Sequence, residues 1–447
     1  MDLVLINPSY FSPDEYKARF DCFLDVIEMG NMYVYPFEPP LGLASIKAVL
    51  DRNYKVEVID QQGLAMSNNE LIAQLRAIQP KIIGITSMTS TFPMARRLAG
   101  IIKQEFPDIL LIAGGVHPTV CPQETLLAST IDVVFRGEAE QTIAAFLSAY
   151  PEGDWKSIPG IGFVELGQMV LNEMPPVIRN LDDLPIPDYN SFPTLNYMEY
   201  NSHLRHIKGI SMLVSRGCPY ECTFCAVKAT MGRGWRAKSP ERVVKEIDFL
   251  YREFGIEGIW FKDSIFNMNK EWFKEYCNLL LEAKLPVTWQ FNTRVDLIDE
   301  ESLAHAKKAG LTQIDLGIES GSPLTLDRLK KKTTLEHIVS GVNKAKKHVL
   351  VSGFFMIGTP GETIEDINMT FELAKSLQLD RCSWSIYNPL PGSDLYNELA
   401  SSGRLANQRV CEEVHFTQVP ESFCEIPTEE LNTKYQEINS YFSQQNR

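Results

Sequence analysis

The sequence lacks an apolar run of the length that a membrane-spanning helix needs. Such a helix takes about 20 predominantly apolar residues, and no window of the 447-residue chain reaches that length. The first segment, "MDLVLINPSYF", also lacks the basic residues and the longer apolar stretch of a signal peptide. We therefore predict no membrane span and a cytoplasmic location.

Positive charge is scarce as well. The chain has 43 lysines and arginines against 57 aspartates and glutamates, which gives a formal charge of −14. Proteins bind nucleic-acid phosphates mainly through lysine and arginine, so we expect no nucleic-acid partner. The substrate is predicted to be a small molecule, a lipid or a peptide. With 44% hydrophobic and 22% charged residues, the composition is otherwise that of an ordinary globular protein.

A dinucleotide-binding fingerprint is missing from the first 150 residues, although their pattern is that of an α/β domain. Short apolar strands alternate with amphipathic segments; the strands are "LVLIN", "KVEVI", "KIIGIT", "ILLIA" and "DVVF". This alternation predicts parallel strands joined by right-handed crossovers in a doubly wound, Rossmann-like sheet. Because no GxGxxG follows the first strand, a nicotinamide or flavin nucleotide is not the favoured ligand.

A second α/β region follows a proline-rich connection. Residues 161–171 are predicted to form a hairpin, and "PPVIRNLDDLPIPDYNSFP" an extended linker. Six βα units come next, too few to close a TIM barrel, so we predict an open partial barrel with its active site at the carboxyl ends of the strands. The predicted division of the chain is 1–150, 151–204, 205–400 and 401–447, and the last segment carries no interpretable signal.

Three cysteines stand close together in "SRGCPYECTFCAV": Cys218, Cys222 and Cys225. They follow the first predicted barrel strand directly, and barrel enzymes keep their chemistry in such loops. Structural zinc sites and electron-transfer clusters usually use four protein ligands, whereas three thiolates leave a metal position open for a substrate. A zinc knuckle completed by His203 or His206 is the alternative. In a reducing compartment we expect no disulfides, and the other six cysteines are predicted core residues: Cys22, Cys121, Cys277, Cys382, Cys411 and Cys424.

The segment "CPYECTFC" is a CxxxCxxC motif with an aromatic residue, Phe224, before the last cysteine. It resembles the motif of the radical S-adenosylmethionine (radical SAM) enzymes. The resemblance implies that the three cysteines hold three irons of a [4Fe-4S] cluster, with Phe224 beside it, while the fourth iron binds S-adenosylmethionine. Electron transfer from the cluster would cleave this cosubstrate to methionine and a 5′-deoxyadenosyl radical. An electron donor such as flavodoxin or ferredoxin is implied too.

The ends of later barrel strands also resemble family segments around S-adenosylmethionine. The residues concerned are Asp263 in "WFKDSIF", Arg294 in "NTRVD", and Glu319 with Ser320 in "GIESGS". Carboxylates can accept hydrogen bonds from ribose or an amino group, and arginine can bind a carboxylate through two nitrogens. Salt bridges along the barrel rim are the alternative. The segment "GFFMIGTPGE" resembles the fifth-strand segment, which implies that Gly353 and Gly358 allow close approach of the adenine.

Four segments of the first region look like the cobalamin-binding domain that precedes the barrel in one large subclass of this family: "PPLGLASIKAVL", "VEVID", "GGVHPT" and "RGEAE". The resemblance implies cobalamin as a further cofactor. The residues implied at the cobalamin site are Asn7, Ser87, Gly114, Gly115, His117, Gly137 and Glu138. One departure lies in the last segment, where the family commonly has GEGE and this chain has Ala139 in the third position.

A second departure concerns the lower ligand of cobalt. Cobalamin proteins that ligate cobalt through histidine carry DxHxxG, but the nearest match here is DQQG at residues 60–63, and no histidine precedes His117. We therefore predict that His117 contacts the cofactor or supports its loop and does not ligate cobalt. The cobalt is expected to bind no nitrogen from the first 116 residues.

The function implied by the resemblance is that of a cobalamin-dependent radical SAM enzyme that methylates an unactivated carbon. S-adenosylmethionine would serve twice, as methyl donor to cobalamin and as radical source. Cyclisation or rearrangement without net methylation is the alternative within the subclass, and an inert cobalamin sensor is disfavoured by the intact cysteine motif. A methylthiotransferase is also disfavoured, because that family has three further cluster cysteines in its N-terminal domain and only Cys22 and Cys121 occur there. Aromatic residues before "PPLG" are candidates for a substrate pocket or an interface: Tyr10, Phe11, Tyr33, Tyr35 and Phe37.

Alanine in place of Cys218, Cys222 or Cys225 is expected to abolish cleavage of S-adenosylmethionine, because each loss leaves one iron without its thiolate. The anaerobically reconstituted wild-type chain should bind about four irons. Iron analysis and release of 5′-deoxyadenosine measure both effects. Alanine at Cys277 or Cys382 should spare them, and a triad variant that kept cluster and activity would contradict the assignment.

Overall fold

The structure is a computed structural model that describes residues 1–9, 39–199, 207–405 and 417–445. Several residues singled out above lie outside these ranges: His203, His206, Cys22, Cys411 and the five aromatic residues before "PPLG". The described residues form two α/β units, each built around one largely or wholly parallel sheet. Among the described residues, no helix is both long enough and apolar enough to cross a membrane.

The first unit contains a seven-stranded sheet in the order β2-β1-β3-β4-β5-β6-β7. Its strands are β1 (Leu3–Asn7), β2 (Val56–Asp60), β3 (Ile82–Thr86), β4 (Leu110–Gly114), β5 (Val133–Phe135), β6 (Ile161–Glu165) and β7 (Gln168–Leu171). Its helices are α1 (Leu41–Leu50), α2 (Asn68–Ile78), α3 (Phe92–Glu105), α4 (Val116–Val120), α5 (Pro122–Leu127) and α6 (Ala139–Ala149). Strands β1 to β5 pair in parallel, which confirms the predicted doubly wound sheet.

Both faces of this sheet are covered by helices. Strand β1 is therefore apolar along its length, and its residues Leu3 to Ile6 are at most 3% exposed. Because successive side chains of a strand point to opposite faces, Val4 and Ile6 join the cluster that contains α2 and α3. Leu3 and Leu5 join the cluster on the other face, with α1 and α6.

The predicted hairpin over residues 161–171 is present, and it belongs to the first sheet. Strand β6 pairs antiparallel with β5, with Val133 opposite Phe163, and β7 pairs with β6. The turn between them places Leu166 and Gly167 at positive φ, the geometry that matches the twist of two hairpin strands. The hairpin thus covers the edge of β5 that would otherwise carry unpaired backbone groups.

The second unit is a half-barrel of six parallel strands in the order β15-β14-β13-β12-β11-β8, which confirms the predicted open barrel. These strands are β8 (Gly209–Met212), β11 (Gly258–Phe261), β12 (Thr288–Arg294), β13 (Leu311–Glu319), β14 (Leu350–Ile357) and β15 (Arg381–Ile386). The helices are α7 (Thr194–Glu199), α8 (Val227–Thr230), α9 (Pro240–Phe254), α10 (Lys270–Ala283), α11 (Glu300–Lys308), α12 (Pro323–Arg328), α13 (Leu335–Lys346), α14 (Ile364–Leu377) and α15 (Asp394–Ser401). A short antiparallel ribbon, β9 (Ser215–Arg216) and β10 (Arg236–Ala237), flanks the cysteine segment.

The C-terminal segment, to which the sequence assigned no role, forms helix α16 (Thr428–Gln445). Its buried residues Leu431, Tyr435, Ile438 and Phe442 recur at helical spacing and join the core of the half-barrel. The Phe442 ring stacks on Trp384 of the edge strand β15 with centroids 5.8 Å apart. The helix therefore covers the end of the sheet where β15 has no further strand neighbour.

Candidate active site

The cysteine segment leaves the half-barrel at a point fixed by Asp263. This carboxylate lies just beyond β11, is 0% exposed, and accepts hydrogen bonds from the backbone N–H groups of Val214, at 3.2 Å, and of Ser215. It also accepts from the Ser215 hydroxyl. Burial raises the pKa of Asp263 to about 6, but backbone N–H groups can only donate, so the ionised form is the one that satisfies them.

The next residues turn the chain sharply towards the first cysteine. Gly217 has φ +82°, and a Cβ at that position would lie 2.1 Å from the carbonyl oxygen of Gly234. The cysteine segment is then held by backbone hydrogen bonds, from Cys218 to Gly232 at 3.3 Å and from Cys225 to Cys222 at 3.2 Å. Only glycine allows this close passage of the two backbones.

The three thiols of the cysteine segment lie close enough for their charges to affect one another. All three are free and partly buried, and among the described residues their sulfurs do not form a group within 4.8 Å. One tetrahedral zinc, with Zn–S bonds of about 2.3 Å, would bring its sulfurs to about 3.8 Å. Burial raises the pKa of the Cys218 thiol, and that of Cys225 to about 11. The thiolates therefore need bound metal to stabilise them, and a cluster in which each iron takes one sulfur does not require the three sulfurs to lie as close together as one ion does.

Arg294 lies against the cysteine segment. Its guanidinium is 3.7 Å from the Cys222 sulfur and 3.8 Å from the ring centroid of Tyr220. Its Nε donates to Asp296 at 2.9 Å, and a further nitrogen donates to the carbonyl oxygen of Lys331. These contacts fix a buried cation beside the cluster ligands. Direct contact of Arg294 with S-adenosylmethionine stays a prediction.

Glu319 forms an ion pair with Lys331, with Oε1 2.8 Å from Nζ. A Cβ on Gly317 would lie 2.8 Å and 2.9 Å from these two atoms, so the pair passes over a glycine. Glu319 has φ +68°, a strained value for a residue with a side chain. In the structure Glu319 forms a salt bridge at the barrel rim, which is the alternative that the sequence left open. Binding of the amino and carboxylate groups of S-adenosylmethionine by this pair stays a prediction.

The remaining residues predicted near the cosubstrate contact protein side chains. The Ser320 hydroxyl is 2.9 Å from that of Thr370, and Phe224 packs on the apolar cluster around Met356 and Tyr387. A Cβ on Gly353 would lie 2.5 Å from the side chain of Leu379, and one on Gly358 would lie 2.9 Å from that of Leu431. Helix packing thus accounts for both glycines, while the predicted contacts with ribose and adenine stay predictions.

Two cavities lie between the first sheet and the half-barrel. Six of the seven predicted cobalamin residues line them. The first, of about 280 Å³, lies at the carboxyl ends of β3 to β5 and is lined in part by Gly114, Gly115, Gly137 and Glu138. The second, of about 460 Å³, is lined in part by Asn7, Ser87, Leu213, Met231 and Lys262.

The linings of these cavities fit cobalamin. The walls of the first are mostly apolar, with Ile85, Ile112 and Phe135 among them, which suits the aromatic base of a nucleotide tail. Gly42 borders both cavities, and a Cβ there would meet no atom within 4 Å, so the space is open. In the second cavity, the buried Oε1 of Gln62 has no hydrogen-bond partner and could accept from an amide of the corrin.

His117 borders neither cavity. It is 0% exposed, its ring stacks on Phe92 with centroids 4.0 Å apart, and neither ring nitrogen has a hydrogen-bond partner. Burial lowers the pKa of His117 to about 4, so the imidazole is neutral. Support of the loop fits this buried position, and contact of His117 with the cofactor stays a prediction. Within the described parts of the chain, no histidine lines either cavity.

A group of ion pairs that was not predicted from the sequence joins the two units. Arg216 of β9 pairs with Glu140, and its other nitrogen lies 3.5 Å from Glu138. Arg236 of β10 also pairs with Glu138, and the Ser45 hydroxyl donates to Glu140 at 2.9 Å. Burial opposes ionisation of Glu140, but Arg216 outweighs it and the pKa of Glu140 is lowered. The predicted cobalamin residue Glu138 therefore belongs to an interdomain contact at the wall of the first cavity.

Known families match both units. Residues 212–374 match the Radical SAM superfamily and residues 32–147 match the B12 binding domain. An uncharacterised methyltransferase of Pyrococcus horikoshii is 34% identical over 362 residues, covering 80% of this chain and 78% of that protein. The chain belongs to the cobalamin-binding radical SAM enzymes. Its cofactors are accordingly a [4Fe-4S] cluster, S-adenosylmethionine and cobalamin.

Two further relatives indicate the range of this family. The anaerobic magnesium-protoporphyrin IX monomethyl ester cyclase of Rubrivivax gelatinosus is 30% identical over 373 residues, or 81% of this chain and 66% of the longer cyclase. The radical S-adenosylmethionine methyltransferase TsrM of Kitasatospora setae, solved with cobalamin and a [4Fe-4S] cluster bound, has a TM-score of 0.73. That match covers 90% of this chain and 78% of TsrM at 19% identity, and it shows the shared fold.

Substitution of Arg294 by lysine or of Glu319 by glutamine is expected to weaken binding of S-adenosylmethionine by about 1 to 3 kcal/mol, because each removes a charged hydrogen bond. Iron content should be unchanged in both variants. Asp263→Asn should instead lower the iron content, because its amide N–H group would face backbone donors. Anaerobic calorimetry and iron analysis distinguish the effects, with the exposed Glu300→Gln as control. Full affinity in both of the first two variants would leave them as rim salt bridges only.

The cob(II)alamin form of the loaded enzyme is expected to show no nitrogen splitting of its cobalt lines in electron paramagnetic resonance. The reason is that His117 is enclosed against Phe92 and does not reach the cavities. Splitting that disappeared in His117→Ala, and persisted in the distant His305→Ala control, would make His117 the cobalt ligand and contradict this expectation. A failure to bind cobalamin at all would contradict the cofactor set.

Proposed function

We propose that this enzyme transfers a methyl group to an unactivated carbon of a substrate held between its two units. The observation that carries the proposal is that the second cavity, of about 460 Å³, which would also hold the corrin, is lined by both units. Asn7 and Ser87 of the first unit line one side, and Leu213 and Lys262 of the half-barrel line the other. A substrate between the corrin and the half-barrel wall of this cavity would face both units together.

Each part of the site has a separate task in this proposal. When bound, the cluster with S-adenosylmethionine supplies the radical that removes a hydrogen atom, and cobalamin supplies the methyl group. Arg294 and Lys331 would attract the carboxylate of S-adenosylmethionine, and Glu319 its amino group. Asp263 holds the start of the cysteine segment, and the apolar Leu213 and Met231 keep water from the space where a radical would react.

A second candidate function is cyclisation without net methylation. It is favoured by the relationship to the cyclase of Rubrivivax gelatinosus, which extends over 81% of this chain. The same residues would then direct hydrogen abstraction, and a new bond would form between two atoms of the substrate. The cavity lining fits either outcome, so the product decides between them.

An acidic electron carrier, such as flavodoxin or ferredoxin, is the proposed redox partner. Exposed cations lie around the cysteine segment: Arg233 is 3.3 Å and Lys332 is 3.1 Å from Glu221, and their side chains are 65% and 63% exposed. Because these two cations share one carboxylate, the patch keeps a net positive charge in a chain whose net charge is −14. It would steer a negatively charged carrier towards the cluster.

For the substrate, a small molecule, a lipid or a peptide remains the proposed class.

Anaerobic incubation with a reductant, candidate substrates and S-adenosylmethionine carrying a deuterated methyl group tests the function. Methyl transfer should give a product with the label, together with equal amounts of S-adenosylhomocysteine and 5′-deoxyadenosine. Cys222→Ala should form neither the labelled product nor 5′-deoxyadenosine. An unlabelled product formed with 5′-deoxyadenosine but without S-adenosylhomocysteine would contradict methyl transfer and identify the cyclisation alternative. Mass spectrometry resolves these cases.

A further inference from the structure

A second group of potential metal ligands lies outside the cofactor sites. His117, Cys121 and Glu124 each offer one ligand atom, and these atoms all lie within 4.8 Å of one another. The Nε2 atom of His117 is 3.6 Å from a carboxylate oxygen of Glu124. A tetrahedral ion with bonds of about 2.0 to 2.3 Å places its ligands about 3.3 to 3.8 Å apart. In the described part of the chain, no other group of three such side chains has its ligand atoms within 4.8 Å of one another.

The backbone holds this group in a tight elbow between two short helices. His117 lies in α4, Glu124 lies in α5, and Cys121 is the residue that joins them. The backbone N–H of Cys121 donates to the His117 carbonyl at 2.7 Å. Pro122 starts α5, where its fixed φ suits a first helical residue. The three side chains therefore converge because of the elbow and not because of a flexible surface loop.

The imidazole of His117 is the observation that points to a ligand. It is 0% exposed, and both of its ring nitrogens are buried without a hydrogen-bond partner. Buried polar groups in folded proteins nearly always have a partner. Phe92 stacks on the face of the ring, so the ring edge is the part left to bind another group. Neutral imidazole is the form of histidine that binds metals.

We propose that His117, Cys121 and Glu124 bind a divalent metal ion, and that zinc fits this set best. Zinc accepts nitrogen, sulfur and carboxylate oxygen together in tetrahedral sites. On binding, the Cys121 thiol loses its proton to solvent and its sulfur forms the bond to zinc. Glu124 stands at the solvent edge, with its side chain 37% exposed, so water can fill the fourth position.

The position of the elbow gives the ion a structural task. Gly115, Val116 and Thr119 beside it line the first cavity. On the other side, a Cβ on Gly392 of the half-barrel would lie 2.9 Å from the Val120 side chain. The elbow therefore lies between the cobalamin cavity and the second unit, and zinc would fix its shape. This role does not depend on which reaction the enzyme catalyses.

The test uses the full chain loaded with its cluster and cobalamin, so that iron occupies Cys218, Cys222 and Cys225. Zinc is then titrated in, and zinc K-edge X-ray absorption is measured, since iron and cobalt do not contribute at this edge. One zinc per chain is expected, with one sulfur at about 2.3 Å and the other ligands nitrogen or oxygen at about 2.0 to 2.1 Å. The melting temperature should rise with zinc.

Variants separate this site from adventitious binding. Cys121→Ser should lose the sulfur neighbour and weaken zinc binding by about tenfold or more, and the more conservative Glu124→Gln should weaken it while keeping the sulfur. Cys424→Ser, at a partly buried cysteine elsewhere, is the matched control and should bind as the wild type. Lack of stoichiometric zinc would overturn the proposal. A sulfur neighbour that persisted in Cys121→Ser, or a shell of three sulfurs, would overturn it as well, because it would place the ion at other cysteines.

Discussion

The hydrogen bonds from Val214 and Ser215 to the buried carboxylate of Asp263 are the constraint on which the site depends. They fix the direction in which the chain leaves β8. Within the next three residues, Arg216 turns towards the first unit, Gly217 passes close to the opposite backbone, and the first cluster cysteine follows. A carboxylate that satisfies only donors and is shielded from water tolerates little displacement. One interaction in the core of the half-barrel thus sets both the position of the cysteine segment and the direction of the interdomain contact.

The interdomain contact carries this constraint to the cobalamin side. Arg216 and Arg236 are paired across the β9-β10 ribbon, and both reach the acidic residues at the start of α6. The Arg216 side chain is 15% exposed and that of Glu138 is 6% exposed, so these charges are largely desolvated. Removing one partner of such a buried pair costs about 3 to 5 kcal/mol, because the other charge is left uncompensated. The ribbon that holds the cysteine segment is therefore also the element that fixes the first cavity.

Local patterns predicted the parts of the structure that depend on neighbours in the sequence. The apolar runs of β1 to β5, the six βα units and the cysteine motif are of this kind. Side-chain partners could not be predicted from local patterns. The role of Asp263 depends on the N–H groups of Val214 and Ser215, which belong to another strand connection. The role of Glu138 depends on Arg236 of the second unit. Helix α16 was not predicted, although Leu431, Tyr435, Ile438 and Phe442 follow the helical period. Their partner, the edge strand β15, was the part that the sequence did not reveal.

The DQQG segment at residues 60–63 is the nearest match to DxHxxG, and its aspartate takes part in a contact between the two units. Asp60 accepts hydrogen bonds from the Asn7 amide at 2.8 Å and from the Tyr197 hydroxyl at 2.6 Å. Tyr197 belongs to α7, which packs in the core of the half-barrel. The segment therefore joins the first sheet to the second unit, as Glu140 and Arg216 do elsewhere on the interface. Two buried polar contacts thus join the units at separate places on their interface, which favours a fixed arrangement of the two cavities over a hinged one.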